Sequence, residues 1–563
     1  MHRGWKNISF ETMALALLIG VSVFCAARLQ GFMFCQEEHF RFGALVISLC
    51  PILFVYAAVR VMSPPLLSAA MVSSVVYLLS KVSQVKDFLT GEPLSWTDLS
   101  SGTNLSVIPH YITLGNVLLL LFFALVLLVL IKINPFRGYS KPGLAVKVVT
   151  CLALFPFAFY PYCTGKLKAV NPLVGKAGIS YIVWDWRYNV QLNGLAMHLV
   201  QTSRRVVPRT PDENDRKQFA ALTEAGSQPV ADRPKNIIFI LCEACWYDER
   251  HFKEAFAPLD ETGLKPFRTV SPSYGGGTVN AAFELLTGLS SKEVFTGIIY
   301  QEYASLMSDT AWAYPRSLKR LGYTTISEHN HNRKFWKRDV VNPKLGFDEF
   351  LGIEDMGYDG PAWAEDAVLF DSAFENIRRD DSPKYLFLTT VHTHGAYMED
   401  NGDYGAGDYE RRLSKTLSQL SGFVEKVLAC EPDTLIVMVG DHKPALAQYF
   451  YEKGVFPKEY YASTGSSGAD FRFGNIPTEA IGDVPGFIYW KNPEQVDAFV
   501  ERVNGKPFYC LSQALDSEFV GAGLPAYTYA ANQHMCDEFD WARQRTPAKK
   551  TFPDWLYSLS LLR

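Results

Sequence analysis

Glu243 stands just behind the apolar run NIIFIL (Asn236–Leu241), and Asp441-His442 follow TLIVMV (Thr434–Val439) and one glycine. A carboxylate at the end of a buried strand is costly unless a cation or a donor meets it, so Glu243 reads as a cation ligand. The adjacent oxygen and imidazole of Asp441 and His442 suit a divalent ion as well. Thr278 follows three glycines in SYGGGTVNAAFELLTGLSS, and Val279, Ala282, Phe283 and Leu286 then keep helical spacing until Gly288. A helix N-terminus receives an anion such as phosphate through its macrodipole and unpaired N–H groups, and glycines let that anion approach the backbone. Taken alone, Thr278 fits an N-cap as readily as a nucleophile. Glu243, Asp441 and His442 in its company favour the nucleophile.

Two further runs end in histidine: YTTIS (Tyr323–Ser327) precedes His329, and YLFLTTV (Tyr385–Val391) precedes His392 and His394. Lone imidazoles also serve simply to satisfy backbone groups, and that alternative stays open for all three. The stretch NHNRKFWKRD (Asn330–Asp339) gathers Arg333, Trp336, Lys337 and Arg338 behind His329. Arg338 would clamp a phosphate while the Trp336 indole packs on an uncharged part of the substrate. Cys242 and Cys245 form a CxxC with no second pair to complete a zinc site, so they read as two core thiols.

These residues need a scaffold that brings distant segments to one edge. From Lys235 onward, short β-branched runs alternate with helical-length segments, which predicts an α/β domain around a mostly parallel sheet. In such sheets the ligand crevice lies beyond the carboxyl ends of the strands, where the four runs deliver Glu243, His329, His392/His394 and Asp441-His442.

The first 163 residues are of another kind. Five apolar stretches, Phe10–Ala27, Gly43–Met62, Leu66–Gln84, Leu114–Ile133 and Leu144–Cys163, approach the roughly 20 residues needed to cross a bilayer. The predicted organisation is a five-helix membrane domain (1–163), a juxtamembrane helical linker (164–232) and a catalytic domain (233–563). With the N-terminus inside, Arg3, Lys6, Arg60, Lys132, Arg137 and Lys141 fall on the cytoplasmic side. Five spans then put the catalytic domain outside. The segment ISYIVWDWRYNVQLNGLAMHLV suits either the membrane interface, with Trp184, Trp186 and Tyr188 at headgroup depth, or an amphipathic helix packed on the soluble domain.

At 48% hydrophobic and 20% charged, the chain is not a disordered protein. Lys+Arg number 54 against Asp+Glu 58, so no global field draws nucleic acid, and an anionic partner must be recognised locally. Ten cysteines in 563 residues are too few for a disulfide framework. Whether Cys510 and Cys536 pair stays open.

Taken in order, the spans, Glu243, the glycine-preceded Thr278, FWKRD with GFDEF behind it, THGAY and GDHKPAL resemble the lipoteichoic acid synthase and phosphoglycerol transferase group of the alkaline phosphatase/sulfatase-like superfamily. DFLTGEPLSWTDL (Asp87–Leu99) is similar to that group's loop between spans three and four. The resemblance implies that Glu243, Thr278, Asp441 and His442 bind one divalent metal ion, manganese first, with magnesium or zinc as alternatives. It implies that Thr278 is the nucleophile, that His394 is catalytic and substrate-binding, and that His329, Trp336 and Arg338 bind substrate. The implied reaction moves phosphoglycerol from a membrane phospholipid, phosphatidylglycerol, to a hydroxyl of a cell-surface glycan or glycolipid. Phosphoethanolamine transfer is the alternative. The implied location is the bacterial cytoplasmic membrane, with the catalytic domain on its outer side. Two departures stand out: Lys337 occupies the position between tryptophan and arginine where the group usually has asparagine, and Gly395-Ala396-Tyr397 stand where a proline usually follows the histidine.

Overall fold

The computed structural model describes residues 2–101 and 179–562, apart from short interruptions at 37–38, 61–62, 91–92, 184, 204–205, 225–229, 231, 296, 362, 466–470, 538 and 543–549. It divides into two compact units, Met1–Arg205 and Val206–Arg563.

In the first unit the long apolar runs form α1 (His2–Leu29), α2 (Phe42–Arg60) and α3 (Pro65–Thr90). Their segments Phe10–Leu29, Phe42–Arg60 and Pro65–Asp87 are each long and apolar enough to cross a membrane. The expected spans at Leu114–Ile133 and Leu144–Cys163 lie outside the described residues. Two shorter helices follow later in the same unit, α4 (Trp186–Asn193), capped by Asp185, and α5 (Leu195–Thr202). They dock on the long helices through polar contacts: Arg41 Nη1 donates to the Leu192 carbonyl (2.7 Å), and the Leu195 N–H donates to Gln30 Oε1 (2.9 Å). Trp186 is buried there, edge-on to His198, so it is not the headgroup-depth anchor allowed by its position in the sequence.

The second unit is built on β1 (Asn236–Cys242), β2 (Lys265–Val270), β3 (Thr324–His329), β4 (Glu349–Leu351), β5 (Lys384–Thr389), β6 (Thr434–Gly440), β7 (Asp483–Tyr489) and β8 (Lys506–Pro507). They form one eight-stranded sheet in the order β8-β2-β7-β6-β1-β5-β3-β4. β7 runs antiparallel to both of its neighbours and the other pairs are parallel, as the alternating pattern predicts. Every residue of β1, β5 and β6 is buried, which explains why these strands read as continuous apolar runs. The four runs singled out in the sequence are consecutive in the sheet, β6-β1-β5-β3. Their carboxyl ends therefore share one edge.

Candidate active site

The turn that leaves β1 is pinned from both sides. The Glu243 N–H donates to Thr390 Oγ1 (2.8 Å) behind β5, and the Ala244 N–H donates to Asp441 Oδ1 (2.6 Å) behind β6. Asp441 N–H in turn donates to the Cys242 carbonyl (3.0 Å). Gly440 makes this approach possible, because a Cβ there would run into the Cys245 carbonyl oxygen. Ala244 turns the chain at φ 51° and returns Cys245 toward the strand end, 5.5 Å from Cys242 between Cα atoms. The two sulfurs are bonded. That corrects the reading of two separate core thiols, since a strand-to-turn reversal brings together side chains that strand alternation alone would hold apart. Cys510 and Cys536 are also bonded.

Thr278 opens α6 (Thr278–Thr287). Gly275, Gly276 and Gly277 all have positive φ, and Gly277, at φ 84°, is the N-cap residue. Thr278 is therefore the first helical residue rather than the cap. Its hydroxyl is turned into the site, where Oγ1 donates to Glu243 Oε2 (2.9 Å).

His442 Nδ1 lies 2.9 Å from the Lys443 carbonyl, which requires a proton on Nδ1 and aims Nε2 at the carboxylates. Nε2 lies 3.2 Å from Asp441 Oδ2 and 3.5 Å from Glu243 Oε1. Asp441 Oδ2 and His442 Nε2 are both buried without a hydrogen-bond partner among the described residues. Ligand atoms of Glu243, Asp441 and His442 all lie within 4.8 Å of one another. Two carboxylates and a lone-pair nitrogen facing each other in a buried pocket are mutually repulsive unless a cation sits between them, so this donor set fits a divalent ion. The same crowding appears in the titration. Burial, then the charge of Glu243, pushes the Asp441 carboxyl up to about 7. Burial lowers His442, but the fields of Asp441 and Glu243 outweigh it and the net shift is upward.

Arg338 is 4% exposed, and burial pushes its guanidinium down to about 10 against the fields of Tyr300, Glu243 and Asp441. Its one hydrogen bond among the described residues is long, 3.4 Å to the Phe335 carbonyl, which leaves donors for an anion. His329 ends β3, with Nδ1 on the Thr389 carbonyl (2.9 Å) and Nε2 buried with no hydrogen-bond partner among the described residues. Burial, then Arg338, holds His329 well below the usual imidazole range, so it is neutral. His394 lines a cavity of about 430 Å³ together with Glu243, Tyr397 and His442.

Other sequence expectations fall elsewhere. Trp336 adopts φ 58°, is 8% exposed and packs beside Phe335. Lys337 turns away and donates from Nζ to the Gln301 carbonyl (2.9 Å). Arg333 pairs with Asp355. Two residues escaped the sequence reading altogether. The Trp363 indole stacks on His394 (4.3 Å between centroids, 11°) and on His331 (4.8 Å, 19°). Asp366, fully buried, accepts from Asn330 Nδ2 (2.9 Å), the Val391 N–H (2.9 Å) and Thr416 Oγ1 (2.7 Å), tying the loop behind β3 to the loop behind β5.

Residues 235–506 match the family model described as Sulfatase. A Rhizobium meliloti (strain 1021) protein named for cyclic β-1,2-glucan modification is 25% identical over 311 residues, 49% of this chain and 47% of its own. The chain thus spans about half the length of that curated relative. Among solved structures, the lipoteichoic acid synthase LtaP from Listeria monocytogenes is 18% identical, covering 55% of this chain and 81% of that one at TM-score 0.38. The Streptococcus pyogenes phosphoglycerol transferase GacH, in complex with sn-glycerol-1-phosphate, is 17% identical, covering 58% and 95% at TM-score 0.37. The part of the chain that carries the strand-end cluster, residues 235–506, is thus similar to the Sulfatase family.

Proposed function

We propose that the protein is a metal-dependent phosphotransferase that moves a phospholipid headgroup to a hydroxyl of a cell-surface glycan or glycolipid, with phosphoglycerol as the group transferred. The observation that carries this reading is the Thr278 hydroxyl at the start of α6, not used as a cap, directed into a buried cluster of two carboxylates and an imidazole. A cluster that only stabilised the fold would gain from apolar packing instead.

Glu243, Asp441, His442 and Thr278 Oγ1 would hold one divalent cation, manganese by preference, which supplies charge to favour the alkoxide and to neutralise phosphoryl oxygens. Thr278 Oγ1 attacks the headgroup phosphorus as its proton leaves toward Glu243 Oε2, to which it already donates; the Oγ1–P bond forms and the P–O bond to diacylglycerol breaks. The departing oxygen takes a proton, for which His394 is the candidate donor at the cavity wall. Arg338 binds the nonbridging oxygens, and burial strengthens that contact. The acceptor hydroxyl then forms its own bond to phosphorus, the P–Oγ1 bond breaks, and Thr278 recovers a proton.

The donor is a membrane lipid, consistent with the apolar helices of the first unit. Two disulfides in the second unit support an oxidising compartment, outside a bacterial cytoplasmic membrane. The glucan-modification name of the Rhizobium relative supports a glycan acceptor. Phosphoethanolamine is the second reading for the headgroup, since the same phosphodiester chemistry serves both. The test is incubation of the purified full-length protein and manganese with vesicles of phosphatidylglycerol or phosphatidylethanolamine. Diacylglycerol release from the first alone is the expected result; release from neither, with or without glycan, refutes the transferase.

A further inference from the structure

A second cavity, about 380 Å³, is lined by residues that flank or touch the loop lining the first. Trp363 lines it and stacks on His394, which lines the metal-side cavity. Arg412 lines it as well, donates from Nη1 to the His394 carbonyl (3.0 Å), and sits over the Tyr397 ring (5.9 Å), another wall of the first cavity. The His394–Tyr397 loop thus lines the first cavity, while His392 and Met398, on either side of that loop in the chain, line the second.

The chemistry of the second cavity is cationic and amphipathic. Arg411, Arg412 and Lys415 follow one another along α7 (Ala406–Cys430) and line it. Asp408, only 3% exposed, accepts from both arginines, and Glu365 pairs with Lys415. Three cations against two carboxylates leave one net positive charge. The Arg411 side chain is 66% exposed, with several of its five donors unused by Asp408. His392 adds a buried Nδ1 with no hydrogen-bond partner among the described residues. Met398, 67% exposed, and the outer part of Trp363 not covered by His394 and His331 supply apolar surface beside these donors. A polar donor set beside apolar surface, next to the loop that lines the metal-side cavity, matches a charged saccharide better than a lipid tail or a metal.

We propose that this second cavity is the acceptor subsite, and that it binds an anionic substituent, carboxylate or phosphate, on the glycan whose hydroxyl attacks the Thr278 adduct. The inference rests on the transferase reading given above. Once the adduct has formed, it partitions between the acceptor hydroxyl and water. A subsite for the acceptor changes that partition, whereas general damage to the metal centre lowers both products together.

The experiment uses full-length protein in vesicles whose donor phospholipid is labelled in the headgroup, with neutral or carboxymethylated glucan as acceptor. The measured quantity is label on glucan divided by label released to water. The wild type is expected to favour the carboxymethylated glucan. Arg411→Glu combined with Lys415→Glu should lower the ratio for that glucan about tenfold, with a much smaller change for the neutral one. Arg411→Gln is measured in parallel and should show a lesser loss of the same kind, so poor folding of the double variant leaves the result readable. Equal ratios for the two glucans in the wild type, or an unchanged preference in both variants, overturn the subsite while the transferase stands. No label released or transferred by the wild type overturns the transferase reading and the subsite with it.

Discussion

At the scale of single residues, the site depends on a few positions whose importance comes from close approach rather than from reactive groups. Gly440 is the clearest. It lets the Cys245 carbonyl close over the end of β6 and so holds Glu243 and Asp441 in one cluster. Gly440→Ala should cost about 1–3 kcal/mol through forced displacement of that turn. It should also weaken manganese binding, because Glu243 and Asp441 would part. Thermal unfolding and titration calorimetry on the same preparation measure both effects; a variant with wild-type manganese affinity would separate the turn from the ligands. The strand-end candidates Glu243, Asp441 and His442 were legible in the sequence because they follow apolar runs, and Thr278 because three glycines precede a helical pattern. Gly440 as a contact, Asp366 as a tie between loops and Trp363 as a stacking partner were not legible, since each acts on a residue distant along the chain.

At the scale of elements, the order β6-β1-β5-β3 explains how four remote segments converge, and α6 brings the fifth. The mostly parallel sheet was predictable from fully apolar runs separated by helical lengths. The antiparallel β7 was not, because an inserted strand of reversed direction has no distinct hydrophobic period. Helix α6 carries its own electrostatic cost in Glu284, which is buried and accepts from the Ser291 N–H (2.8 Å) and Oγ (2.9 Å). Burial pushes Glu284 up to about 7 from an ordinary 4.5. Between those values the folded state keeps a proton that the unfolded chain has lost, so this group makes stability fall as pH rises through that window and level off above it. Glu284→Gln should remove this contribution, on the order of 3 kcal/mol across the window. Urea unfolding at intervals from pH 4.5 to 8 reads it directly; identical slopes in wild type and variant would show that Glu284 is ionised throughout.

At the scale of the whole molecule, a unit with three membrane-length helices precedes in sequence a second unit that holds two disulfides and whose residues 235–506 match the Sulfatase family model. The proposed chemistry requires that domain to face the compartment where the acceptor glycan lies. Cys430, free and exposed at the end of α7, offers a reporter of sidedness. In a variant that keeps Cys430 and the two disulfides as its only cysteines, a membrane-impermeant maleimide should label intact spheroplasts without lysis. Labelling that appears only after lysis would place the domain in the cytoplasm.

The central claim is that Thr278 carries the transferred group. Full-length protein incubated with manganese and phosphatidylglycerol vesicles, quenched in acid and digested, should yield the Thr278 peptide heavier by one phosphoglycerol, and Thr278→Ala should yield none. An unmodified wild-type peptide under conditions that release diacylglycerol, or the same adduct in Thr278→Ala, would contradict the account.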